Sequence, residues 1–95
     1  MAAYIIADVD VTDPVQYAQY RTLSSIAMQA YGAKPLVRGS AVEVLEGPWQ
    51  PGRIVVLEFP DANTARRFYD SPEYGTARQA RDGAALMRMI LVQGA

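Results

Sequence analysis

The stretch VVLEFPDANTARRFYDSPEY, Val55 to Tyr74, decides the fold. Its first five residues read as the end of a strand, Arg53 to Phe59, that carries one carboxylate, Glu58, in an apolar run. Pro60 stops that strand, and Asp61 is placed to cap a helix bearing Ala62, Ala65, Phe68 and Tyr69 on one side. Ser71 and Pro72 then break the helix and restart it. Ser accepts a hydrogen bond from the new first turn, Pro fits the first helical position, and Glu73 favours the positive end of the helix dipole.

Working outward, the second helical piece ends near Asp82 or Gly83, and Leu86 to Val92 forms a last strand. On the other side, Tyr4 to Val11 alternates as a half-buried first strand does. Asp13, Pro14 and Gln16 spell a helix start with a capping box, and Gly32 ends that helix just after Tyr31. Leu36 to Leu45 reads as a second strand, joined to the third by the turn-rich loop Glu46 to Gly52. The order β-α-β-β-α-β is that of the ferredoxin-like split βαβ arrangement, here a single α+β domain over residues 1–95. Right-handed crossovers give an antiparallel sheet in the order 4-1-3-2 with the helices on one face.

Parity sorts the faces. Ile5, Ala7, Val9, Val55, Leu57, Phe59, Met87, Met89 and Leu91 form the more uniformly apolar set and belong under the helices. Tyr4, Ile6, Asp8, Ile54, Val56, Glu58, Arg88, Ile90 and Val92 point the other way, and Gly39 leaves the second strand's parity open because it could mark a bulge. No helix remains to cover this second face. A homodimer that packs the two faces together is therefore expected.

Composition removes several functional classes. The chain is 51% hydrophobic and 20% charged, as in globular domains. Nine Lys and Arg against ten Asp and Glu leave a net charge of −1, without the basic footprint of nucleic-acid or membrane-surface binders. The start has no leader-like pattern, so a soluble cytoplasmic protein is expected. There is no Cys and no His, which removes thiol nucleophiles, thiolate metal sites and the commonest general base. No metal and no cofactor is expected.

The fragments VTDPVQYAQY, LVRGS, VLEGPWQPGRIVVLEFP and ANTARRFYDSPEY, followed by the Arg of RQARDGA, together resemble the domain-of-unknown-function family numbered thirteen-thirty, within the dimeric α+β barrel superfamily. The resemblance spans nearly the whole chain. Departures are small: Ala33 and Ser40 stand where Gly is common, and Phe68 where Trp is frequent. The resemblance implies a ferredoxin-like fold and a dimer; superfamily relatives include cofactor-free monooxygenases, a lactone isomerase and haem-degrading enzymes. Haem ligation by His is excluded by composition.

Glu58 is the most informative carboxylate. In the deduced strand order its neighbours are Tyr4 and Arg38, which would make Arg38 an anion binder, Glu58 a base and Tyr4 a hydrogen-bond donor or acid. The plainer alternative is a structural Arg–Glu pair. Trp49, on a Pro-flanked loop that Glu46 could hold, would anchor a partner subunit, cover a pocket or cap the core. Tyr74 could line a cavity between helix and sheet. Asp8 and Arg88 are expected to pair at the opposite end. The superfamily resemblance, and not the residues alone, favours a small dimeric protein that binds or transforms an acidic or carbonyl-bearing molecule, for which Tyr4, Arg38, Glu58, Trp49 and Tyr74 are the candidate residues, without metal or haem. The alternative is a non-catalytic homodimeric module.

Overall fold

A computed structural model describes the whole chain, residues 1–95. Its elements are β1 (Ala3–Val11), α1 (Pro14–Ala30), β2 (Lys34–Ser40), β3 (Arg53–Phe59), α2 (Ala62–Tyr69), α3 (Pro72–Ala80) and β4 (Ala85–Gln93). The four strands form one sheet in the order β2-β3-β1-β4, with every neighbouring pair antiparallel. This is the ferredoxin-like arrangement, with the second helix in two pieces.

The helix boundaries follow from local chemistry. Asp13 Oδ1 accepts from the Gln16 backbone N–H at 3.1 Å, and Asp61 Oδ1 from that of Thr64 at 2.7 Å. The Thr64 bond holds the Asp61 carboxyl below its usual range, because it favours the charged form. Ser71 works in two directions: its Oγ accepts from the Tyr74 N–H at 3.1 Å and donates to the Phe68 carbonyl at 2.7 Å, so one hydroxyl ends α2 and begins α3. Gly32, at φ +69°, takes the left-handed conformation that closes α1.

One expected contact is replaced. Gln16 does not complete a capping box; its Nε2 donates instead to the carbonyls of Ala80 (3.1 Å) and Asp82 (2.7 Å). The start of α1 is thereby tied to the end of α3.

The second strand also differs from its predicted span. It runs from Lys34 to Ser40, and residues 41–50 form no strand and are all exposed. The cause is its partner: Ser40 already lies opposite Ile54, and β3 begins one residue earlier, at Arg53. Beyond that point stand Gly52 and Pro51, and proline has no N–H for a ladder.

The core lies between the helices and one sheet face, where Ile5, Ala7, Val9, Leu57 and Phe59 are buried and Val55, Met87, Met89 and Leu91 pack against them. A chain of ring contacts, tilted or edge-on, runs from α1 through α3 to α2: Tyr17 to Tyr20 (centroids 5.0 Å apart), Tyr20 to Tyr74 (6.1 Å), and Tyr74 to Phe68 (4.5 Å). The other sheet face carries no helix, and Leu86, Ile90 and Val92 are exposed there.

Ser71 supplies the clearest stability test, being 5% exposed with both hydrogen bonds inside the protein. Ser71→Ala should lower unfolding stability by about 1–2 kcal/mol, the usual effect of losing an N-cap. Urea denaturation with an unchanged slope would measure it.

Candidate functional site

A cavity of about 390 Å³ opens between α1 and the helix-covered face of the sheet. Its floor comprises Ile5 and Ala7 of β1, Val55 and Leu57 of β3, and Met87 and Met89 of β4. Its roof is α1, through Tyr17, Tyr20, Arg21, Ser24, Ser25 and Met28. The inward stripe of that helix is Tyr17, Tyr20, Ser24 and Ala27, spaced at helical intervals. Its large residues come first and its small ones follow. Ser24 and Ala7 are too small to close the gap between helix and sheet, and space remains.

Three arginines, Arg21, Arg38 and Arg53, are among the lining residues, all of them exposed, and no carboxylate lines the cavity. The chain is nearly neutral overall, yet three of its nine basic residues converge here. Arg21 sits over the Tyr17 ring, 5.4 Å from its centre, in cation–π range.

Deeper in, the hydroxyls of Tyr20 and Tyr74 are 2.7 Å apart. Tyr74 Oη also reaches the Met89 thioether at 3.9 Å. A consistent proton order has Tyr20 donating to Tyr74, whose own proton then points at sulfur, a weak acceptor. Burial pushes the Tyr20 hydroxyl far above the ordinary tyrosine range, with Tyr74 adding to the effect. It raises Tyr74 as well, against the opposing hydrogen bond from Tyr20, and it raises Tyr17. At neutral pH all three are uncharged phenols, unsuited to act as bases, and Tyr74, whose proton meets only sulfur, is able to donate to a ligand oxygen.

The expected site residues divide between the two sheet faces. Arg38 and Tyr74 both line the cavity. Glu58 is on the opposite face, paired across the sheet with Tyr4 on one side and Lys34 on the other. Arg38 is therefore not Glu58's neighbour as expected. The pairing shifts between Pro35 and Val37, leaving Leu36 as an extra residue, so Arg38 falls opposite Val55. A one-residue bulge reverses the parity of everything after it.

Trp49 is 58% exposed, and its Nε1 donates to Asp8 Oδ2 at 3.2 Å. The other Asp8 oxygen accepts from the Gly52 N–H at 2.9 Å. Asp8 lies opposite Arg88 as expected, but both its oxygens serve the loop, a task the sequence reading gave to Glu46. No group of three or more His, Cys, Asp or Glu residues is gathered to hold a metal ion.

Reading from sequence missed Arg21, Ser24 and Arg53 as cavity residues. Two signals pointed there: a charged residue on the helix-side parity of β3, and a serine within the core stripe of α1.

A small ferredoxin-like domain with an arginine-rimmed cavity under its first helix is thus the class of protein defined here. The chain belongs to the family of the domain of unknown function DUF1330, whose model matches residues 2–95. No curated protein matches it. Among solved structures, a protein of unknown function from Rhodopseudomonas palustris is similar at 20% identity and a TM-score of 0.76, covering 99% of this chain and 82% of that one. A dimeric ferredoxin-like protein of unknown function from Bacteroides fragilis matches at 9% identity and a TM-score of 0.64, with 98% and 96% covered. SnoaB, a cofactor-independent oxygenase from Streptomyces nogalater, matches at 11% and 0.60, with 99% and 93% covered. These likenesses establish the fold. No helix is long and apolar enough to cross a membrane.

The tyrosines make alkaline stability a test of the site. Their pKa values are raised from 10.0 in the folded state, so the fold keeps protons that the unfolded chain releases. The stability this contributes is complete below pH 10 and is lost as pH rises through the folded values. Tyr20→Phe removes the most strongly shifted group. Its unfolding stability, followed by urea melts, should fall less steeply above pH 10 than that of the unaltered protein.

Proposed function

We propose that this protein is a homodimer that binds a small acidic or carbonyl-bearing molecule, without metal or haem, in the cavity between α1 and the sheet. The observation that carries the reading is the one-signed wall: Arg21, Arg38 and Arg53 with no carboxylate among the lining residues. Such a wall attracts an anionic head and offers forked donors matched to a carboxylate. The apolar floor accommodates the rest of the molecule, as in most small-ligand sites. Tyr74 supplies a further donor, because a ligand oxygen is a better acceptor than the Met89 sulfur it now meets.

This reading keeps the ligand class drawn from the sequence and moves its centre to the helix side. Arg38 and Tyr74 remain binding residues. Tyr4, Glu58 and Trp49 belong to the face and loop that a second chain would cover. The exposed Leu86, Ile90 and Val92 favour that covering, and the similar Bacteroides fragilis protein is described as dimeric. Binding is better supported than turnover, since no base stands in the cavity wall. SnoaB's oxygenase activity is a precedent for chemistry on this fold without a cofactor.

Calorimetric titration with octanoate tests the site. Arg38→Gln and Arg53→Gln should each weaken binding about tenfold, the scale of one charge-assisted hydrogen bond, and Glu58→Gln should leave it unchanged. Loss of binding in Glu58→Gln alone would return the site to the opposite face. Full octanoate affinity in both arginine variants would favour a non-catalytic module. Light scattering should separately give twice the 10.4 kDa chain mass.

A further inference from the structure

We infer that the ligand is a long-chain monoacid whose tail passes beneath the helices into a second cavity. The inference rests on the binding reading above and extends it from the head group to the whole molecule. The second cavity, about 340 Å³, lies on the β4 side of the sheet under α2. Ile5, Met87 and Met89 line both cavities. They form the partition between the two.

That partition is suited to yield. Two of its three members are methionines, unbranched and adaptable side chains that re-pack around varied shapes. Met89 is held by a Tyr74 contact of 3.9 Å to its sulfur, a weak bond that a ligand oxygen would replace. So weakly held, the Met89 side chain can turn aside for an entering tail.

Charge sets the direction in which such a molecule lies. The first cavity presents cations alone, whereas the charged residues of the second, Arg66, Asp70 and Arg81, carry both signs. The second is otherwise apolar, with Ala65 fully buried in its wall. The acid head therefore sits among the arginines and the tail points towards β4. From β2, which bears Arg38, to β4 there are three inter-strand gaps, about 14 Å in all. An octanoyl chain ends short of that distance and a dodecanoyl chain covers it.

The test compares octanoate with dodecanoate, below its micelle concentration, by calorimetry on the intact protein. Each methylene beyond octanoate should tighten binding, by up to about fourfold. Ala65→Met fills the second cavity and should abolish that gain without changing octanoate affinity. Met89→Ala, which keeps the inference falsifiable if Ala65→Met fails to fold, should raise the dodecanoate-to-octanoate affinity ratio. No gain with length, an undiminished gain in Ala65→Met, or an unchanged ratio in Met89→Ala would each overturn the inference while leaving the acid site standing. Failure of both acids to bind, or octanoate binding indifferent to Arg38→Gln, would instead overturn the reading on which it rests.

Discussion

The position of one extra residue in β2 governs much of what this molecule presents to a ligand. β1, β3 and β4 pair residue for residue, but between Pro35 and Val37 the edge strand β2 carries Leu36 without a partner. In an unbroken strand Lys34 and Arg38 would share a face. The bulge sends Arg38 to the other side, under α1. A second irregularity follows at Gly39, whose φ of +77° suits glycine and whose missing side chain leaves room beside Arg53, since a Cβ there would lie 3.2 Å from that of Arg53. Arg38 and Arg53 can thus flank the same point in the cavity wall.

A cavity also needs a roof that does not collapse into it. The roof here is suspended from the neighbouring helix more than it rests on the sheet: Gln16 reaches two carbonyls at the end of α3, and Tyr20 is hydrogen-bonded to Tyr74 within α3. These polar ties fix the height of α1 at one end. Farther along, Ser24 and Ala7 provide too little volume to fill the resulting space. The aromatic residues that anchor the roof are also those that furnish its hydroxyl donors, which joins stability to recognition.

The fold was legible because each of its decisions is local. Alternation identified the strands, and Asp13, Asp61 and Ser71 identified the helix starts through hydrogen bonds to residues three positions away. The site was less legible because its decisions are not local. Leu36 and Val37 are both apolar, so the pattern gives no phase at the point where parity changes. Glu58 and Tyr4 were placed correctly as neighbours, since their strands pair without interruption, whereas β2 starts at Lys34, which takes the place opposite Glu58 and leaves Arg38 four residues along, where the bulge then turns it to the other face. Asp8 was matched with Arg88 by register, but the loop returning to Gly52 brings two donors closer to it. Gln16 similarly found carbonyls more than sixty residues away in place of its own helix start.

The buckle between Asp8 and Trp49 has a spectroscopic consequence. Trp49 is the chain's one tryptophan, and it lies outside the arginine-rimmed cavity, hydrogen-bonded on the side of the sheet that the helices leave bare. Intrinsic indole emission therefore reports the polarity of that face and the state of the loop. Five of the six tyrosines crowd the other side, Tyr4 alone standing on the bare face. One chain thus carries two optical signals separated by the thickness of a single sheet, tryptophan for what covers the bare face and tyrosine for what enters beneath the helices.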